Sequence, residues 1–472
     1  MRNFGRFSNA QHGLALVIFI VVLVLAALAF ITNGVSTRVA KLERNKTTVA
    51  ALARAKQALI AYAVRYSDTH PDNVPGFLPC PDTGSPEGSG ATCGNQNVSL
   101  LRRLPWHELG IEVLRDSSGE CLWYAVAGTY KNSPQTDLMN WDTNGLIEVV
   151  ADDGATLLAG GKPENRAVAA VVAPGPAIGG QTRTKVASAN ECGGNYVASN
   201  YLETRNGVNN ALLSTIANAL SRLIAGAESE TFNDKIIYIT PDEIFEPIRK
   251  RKDVQARFEA LTSTIAACLG GYGELNGSPI NIADHRLPWP ALVNLTNFNT
   301  NPSYDDTAAP ARKSGRLPFV VNTSKTATSN QMFGVNLLNN VAPNNCPTWS
   351  NNDAAWYKKW KDHFFYYVGG SFTPIAPHPT TLPCASCLSV NGAGSFAAVV
   401  LFAGEKTSGQ SRNSVAEKGL IGNYLEGRNS TSHPNASGNS NLEISGTTND
   451  FLICVDFNPI TNASRTFPCP GS

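Results

Sequence analysis

The residues at chemically suggestive spacings in this 472-residue chain are few, and each set has a plain structural reading beside it. Cys384-Ala385-Ser386-Cys387 is a CxxC, the spacing of half a zinc site or of a redox dithiol. No second pair accompanies it, and His378, just upstream among prolines, reads as a solvated loop histidine. His107-Glu108 opens like HExxH, but position 111 is Ile, so the second zinc ligand is missing and Glu108 reads as a first-turn carboxylate after Pro105. Gly88-Ser89-Gly90 lies in a turn-rich stretch without the strand and helix that a nucleophile elbow requires. Asp142-Thr143-Asn144-Gly145 and Asp152-Asp153-Gly154 offer oxygen ligands for calcium and read equally as hairpin turns. No catalytic, cofactor or metal residue is therefore assigned, calcium being the one ion with candidate ligands, and the chain is not expected to be an enzyme.

Two tryptophans and one aromatic block invite a binding reading. Trp106 and Trp289 each follow Leu-Pro and are expected to anchor a loop on a core, with glycan stacking as the sharper alternative. WYKKWKDHFFYY at 356–367 is dense in rings and lysines, and reads as a buried face or as a surface for a partner or carbohydrate. Arg183 and Arg412, each two residues after a Gly-Gln pair, recur in a way that duplicated turns explain as well as a phosphate loop does.

Composition restricts the setting. Charged residues make up 16%, below the roughly 25% usual for soluble domains. The net charge of +1 gives no field to recruit nucleic acid. Ten cysteines, all beyond residue 79, fit disulfides formed in an oxidising compartment. Cys80 with Cys93, which bracket one loop, and Cys454 with Cys469, which would staple the C-terminus to the last strand, are the expected pairs.

Positioning must come from the elements. Leu14 to Thr32 is one unbroken apolar run behind a leader with two arginines, MRNFGRFSNAQHG. About 20 such residues span a bilayer core, so a membrane-spanning helix is expected there. Val35, Val39, Leu42, Val49, Leu52, Ala55, Leu59, Ile60 and Ala63 continue it at helical spacing until Pro71, Pro75 and Pro79 forbid more. Leader (1–13) and helix (14–68) resemble the N-termini of type IV pilins and type II secretion pseudopilins, as a class III leader does. The resemblance implies cleavage between Gly13 and Leu14 by a prepilin peptidase, methylation of the new N-terminus, and assembly with other pilin or pseudopilin subunits through the helix. It also implies a single pass through the inner membrane with the C-terminal part periplasmic, then a place in a cell-surface or periplasmic filament. Family members usually carry Glu at mature position five, whereas this chain has Ile18. Minor subunits that lack it lie at or near filament tips. A tip-located adhesin, and more remotely a membrane-anchored envelope enzyme, are the alternatives.

The rest of the chain repeats itself. AAVVAPGPAIGGQTR at 169–183 is echoed by AAVVLFAGEKTSGQSR at 397–412, NYLETRN at 200–206 by NYLEGRN at 423–429, and FNDKIIYIT at 232–240 by TNDFLICVD at 448–456. CLWYAV at 121–126 matches FFYYV at 364–368, and Leu104-Pro105-Trp106 matches Leu287-Pro288-Trp289. The expected fold class is α+β, a long N-terminal membrane-spanning helix followed by two tandem heads of helix plus antiparallel sheet, pilin-like, at 50–247 and 248–472. Trp106 should then superpose on Trp289, and Tyr201 on Tyr424.

Overall fold

Each half of the chain opens on a helix whose apolar stripe needs a sheet to cover it, and in the computed structural model each half has one. Described are residues 11–472 apart from 91–92, 185–190, 276–284, 308–311, 323–334, 341–345, 375–385, 432–440, 447, 459–462 and 472, and apart from the side chains of 11–38 and 40. In the first half α1 (Gln11–Thr69) is followed by β1 (Leu100–Arg103), β2 (Trp123–Val126), β3 (Ile147–Val150), β4 (Leu157–Ala159), β5 (Ala169–Ala173), β6 (Ser221–Ile224) and β7 (Lys235–Ile239). Strands β1, β2, β5 and β7 form an antiparallel sheet in that order. Strands β4, β3 and β6 form a smaller sheet in which β3 and β6 run parallel.

A linker helix α2 (Pro241–Arg249), capped by Glu243 accepting from Thr240 N at 3.0 Å, leads to the second half. There the plan recurs with α3 (Lys252–Leu275), β8 (Ser314–Arg316), α4 (Asn351–Trp360), β9 (Phe364–Val368), β10 (Leu388–Val390), β11 (Ala393–Phe396), β12 (Ala398–Phe402), β13 (Asn441–Leu442), β14 (Phe451–Phe457) and β15 (Ser464–Pro468). The main sheet runs β8, β9, β12, β14, β15, and the small sheet runs β11, β10, β13 with β10 and β13 parallel.

Layering follows from the strand sequences. Alternation sends Tyr124 and Val126 of β2 into the core beneath α1, and Trp123 and Ala125 into a second cluster on the opposite face with Ile147 and Val149 of the small sheet. Both faces of the main sheet are thus covered, which is why all of β2 and β5 is buried and reads as a continuous apolar run. In the second half Tyr366 and Val368 point to the helix side while Phe365 and Tyr367 point to the other. Leu52, Ala55, Leu59, Ala63 and Tyr66 of α1 share a single hydrophobic cluster with Phe258, Leu261 and Ile265 of α3 and with Trp360, so the heads are fused through their helix sides.

Hydrogen bonds fix the correspondence between the copies. Tyr124 Oη donates to Pro79 O, and Tyr366 Oη to Pro288 O, both at 3.2 Å. Leu104 N donates to Leu122 O as Leu317 N does to Phe364 O, and Asp82 N to Arg103 O as Ala291 N does to Arg316 O. Arg103-Leu104-Pro105-Trp106 therefore corresponds to Arg316-Leu317-Pro318-Phe319, and Leu287-Pro288-Trp289 to Leu78-Pro79-Cys80. The expected superposition of Trp106 on Trp289 is corrected: Leu-Pro occurs twice in each copy, once in the loop before the first strand of the main sheet and once directly after that strand, and the shared Trp paired the wrong two. Trp289 is buried, whereas Trp106 is half-buried with its indole against Gly88.

The membrane-spanning helix of the expected fold class, and the single-pass inner-membrane location built on it, are corrected as well. Among the described residues no helix is long and apolar enough to cross a membrane. In the part of α1 whose side chains are described, Lys41, Arg44, Lys46, Arg54, Lys56 and Arg65 interrupt every apolar stretch, and the residues from Leu52 to Tyr66 spend their apolar surface on the head's own sheet. Gly13 and Leu14 stand in the first turn of α1; their side chains, those of the run to Thr32, and most of the leader lie outside the described residues.

A candidate functional site at the seam between the heads

Each head carries the same buried polar knot, and the knot of the second head is completed by the first. In the first head Arg183 Nη1 donates to Gly175 O at 2.8 Å, Nε to Asn200 O at 3.0 Å and Nη2 to Gln181 Oε1 at 2.6 Å, and the guanidinium lies 4.7 Å from the Tyr201 ring centre. In the second, Arg412 Nη1 donates to Gly404 O at 3.1 Å, Nε to Asn423 O and Nη2 to Gln410 Oε1, with the guanidinium 4.3 Å from the Tyr424 ring centre. Tyr201 and Tyr424 are thus equivalent. The recurrence of Arg183 and Arg412 is structural: each ties two loops and a ring together, and neither arginine is left open for a phosphate.

The carboxylate facing each arginine differs in origin. Arg183 Nη1 lies 3.1 Å from Glu120 Oε1, within its own head. Arg412 Nη1 lies 3.1 Å from Asp142 Oδ2, across the seam, and His363 Nε2 approaches the same oxygen at 3.0 Å while its Nδ1 is 3.0 Å from Ala403 O. Beside them Asn140 Nδ2 donates to Asp362 Oδ1 at 2.9 Å, again across the seam, and Lys418 Nζ lies 3.2 Å from Asp362 Oδ2. Burial alone would raise the Asp142 carboxyl, but Arg412 and His363 outweigh it and hold the group well below the usual carboxylate range. Burial would likewise lower the Lys418 ammonium, yet Asp362 pushes it up to about 12. These are buried, paired charges, costly to leave single.

The rim of the seam is aromatic. Trp141, Phe258, Phe402 and Phe451 line a groove of about 290 Å³ edged by Arg249, the last residue of α2, and Glu405, which pair at 3.0 Å.

The candidates from sequence distribute as follows. Asp142 is an ion-pair partner and its Oδ2 is already occupied by Arg412, while Asp152 pairs with Arg205 at 2.7 Å and Asp153 caps a turn through Ala155 N and Thr156 N; the two triplets are not brought together. Among the described residues no group of three or more His, Cys, Asp or Glu could hold a metal. His107 Nδ1 is 3.3 Å from Ser89 Oγ, and Glu108 accepts from Tyr62 Oη at 3.2 Å. The block at 356–367 is α4 and β9; Trp356, Tyr357, Trp360, Phe364 and Tyr366 are buried, so the partner-surface reading gives way to a core one. Cys80 is joined to Cys93 and Cys454 to Cys469, with Cys121–Cys192 and Cys268–Cys346 as further disulfides. Cys387 is disulfide-bonded, and Cys384 and His378 lie outside the described residues. The seam residues Asp142, His363 and Lys418 were not legible as a site; the recurrence of Arg183 and Arg412 was the one signal that led to them. Comparison with known proteins finds no matching family model, curated protein or solved structure.

Proposed function

We propose that the chain is a large minor subunit of a pilin-like or pseudopilin-like filament, and that it works by assembly and not by catalysis. The observation that carries this reading is α1: one 59-residue helix, about 90 Å long, whose C-terminal part backs a small antiparallel sheet. Its N-terminal part is then the assembly element that meets neighbouring subunits, exposed by a prepilin-type peptidase between Gly13 and Leu14. Val39, Leu42 and Val49, exposed on the described stretch, extend an apolar flank along the same helix. The four described disulfides support folding in an oxidising, extracytoplasmic compartment. Ile18, in place of the usual Glu, favours a position at one end of the filament over repetition along it.

Mass spectrometry of the N-terminal peptide from the native protein tests the reading. A chain beginning at an N-methylated Leu14 is expected; a chain beginning at Met1, or near Asn33 or beyond, would overturn it. Quantification in sheared filaments adds a second test, since near-equal amounts with a repeating subunit would contradict an end position.

A further inference from the structure

A second feature is present in both heads, directly behind the arginine knot. Glu203 accepts from Gln181 Nε2 at 2.7 Å and, through Oε2, from Asn233 N and Asp234 N at 3.1 Å each. Asp234 Oδ2 accepts from Glu203 N and Asn210 Nδ2, both at 2.9 Å. In the second head Glu426 accepts from Gln410 Nε2 at 3.2 Å and Asn449 N at 3.3 Å, while Asp450 Oδ2 accepts from Glu426 N at 3.4 Å and Asn429 Nδ2 at 3.0 Å. The two carboxyl groups of each pair lie within hydrogen-bonding reach of one another. Asp234 and Asp450 are 1% and 8% exposed, and in each the other oxygen, Oδ1, is buried without a donor. In both heads, then, the same aspartate oxygen is buried with no donor beside a second carboxyl group.

We infer that each head binds one proton between its two carboxyl groups, Glu203 with Asp234 and Glu426 with Asp450, as an internal tie that alkali removes. A larger cation fits less well. Calcium takes 6–8 oxygens, whereas both glutamate oxygens and the aspartate Oδ2 of each pair already accept N–H bonds; a proton needs only two carboxyl groups within reach of each other. Two ionised carboxylates in such a place repel, and sharing one proton relieves that. Facing Asp450 are Glu426, Arg412 and the Tyr367 hydroxyl of β9; facing Asp234 is Glu203, with Arg183 held one step away on Gln181. Burial first, and then the partner carboxylate, push Asp450 up to about 8 and Asp234 well above the usual carboxylate range. Because these groups are raised on folding, the stability they contribute is complete in acid below about pH 4 and is lost as pH rises through about 8.

The test uses the full oxidised chain. Between about pH 6 and pH 9 its thermal midpoint is expected to fall by roughly 3–5 °C. Asp234→Asn with Asp450→Asn, which keeps the shape and a donor where the proton sat, is expected to abolish most of that fall. Infrared spectra of the wild-type chain at neutral pH are expected to show the C=O band of a protonated carboxyl, which disappears by about pH 10. A wild-type midpoint flat across the range, an equal fall in the double variant, or no such band at neutral pH would overturn the inference; the band is read on the wild-type chain, so the inference stands or falls even where the variant does not fold.

Discussion

The first head closes its arginine knot with its own residues, and the second closes it with a residue of the first. Glu120 answers Arg183 from inside one head, and 26% of its side chain meets solvent; Asp142 answers Arg412 from 270 positions away with 2% of its side chain exposed. The difference continues next door. The bonds that pair Leu122 with Phe364 also place Cys121 opposite His363. Where the first head has the Cys121–Cys192 disulfide, the second has a histidine aimed at Asp142. One copy is stitched to itself and the other to its neighbour, so the same plan serves once as an independent unit and once as a docking face.

That comparison can be broken at several points. Arg412→Met takes the nearest fixed positive charge from buried Asp142 and leaves it only His363 in contact, and is expected to cost about 3–5 kcal/mol, whereas Arg183→Met, beside a partly solvated Glu120, should cost far less; urea unfolding of both variants reads the contrast. Trp289→Ala empties a fully packed site and should cost roughly 3–5 kcal/mol, with Trp106→Ala, half-buried, at no more than about half of that. Replacing Cys121 and Cys192 by Ser should cost about 2–5 kcal/mol and loosen amide-exchange protection in β1 and β2 while leaving β9 and β12 protected. Acid gives the smallest and most graded effect. The Asp142 carboxyl is depressed on folding, so its contribution is present above about pH 4 and drains below it at up to about 1.4 kcal/mol per pH unit; Asp142→Asn should remove that acid limb from a stability profile and leave the alkaline limb of the carboxyl pairs in place.

Much of the architecture was legible because duplication prints itself twice. The blocks at 169–183 and 397–412 share a Gly-Gln-x-Arg ending since the same two loops must be tied, and NYLETRN and NYLEGRN share the Tyr on which each arginine lies. The Leu-Pro-Trp match failed because each copy has Leu-Pro both before and after the first strand of its main sheet, and three residues carry no register. The apolar run at 14–32 led to a membrane span that the described helices do not support. The aromatic block at 356–367 read as a buried face or as a surface, since period-2 and helical burial cannot be told apart in a short run rich in rings; the shared core of the two heads takes the first of these readings. The seam itself was hidden, since nothing local distinguishes Asp142 in a turn-like Asp-Thr-Asn-Gly from any hairpin aspartate until the second head is folded against it.

The claim that the Asp142–Arg412 pair helps hold the second head on the first, beyond the hydrophobic core they share, is tested most directly by a double-mutant cycle on Asp142→Asn and Arg412→Met, with equilibrium unfolding of the full chain as the readout. The pair is predicted to couple by about 1–3 kcal/mol, the double change costing that much less than the sum of the two single changes. Costs that add within about 0.5 kcal/mol would mean that the two residues stand beside each other without holding the heads together, and would contradict the account.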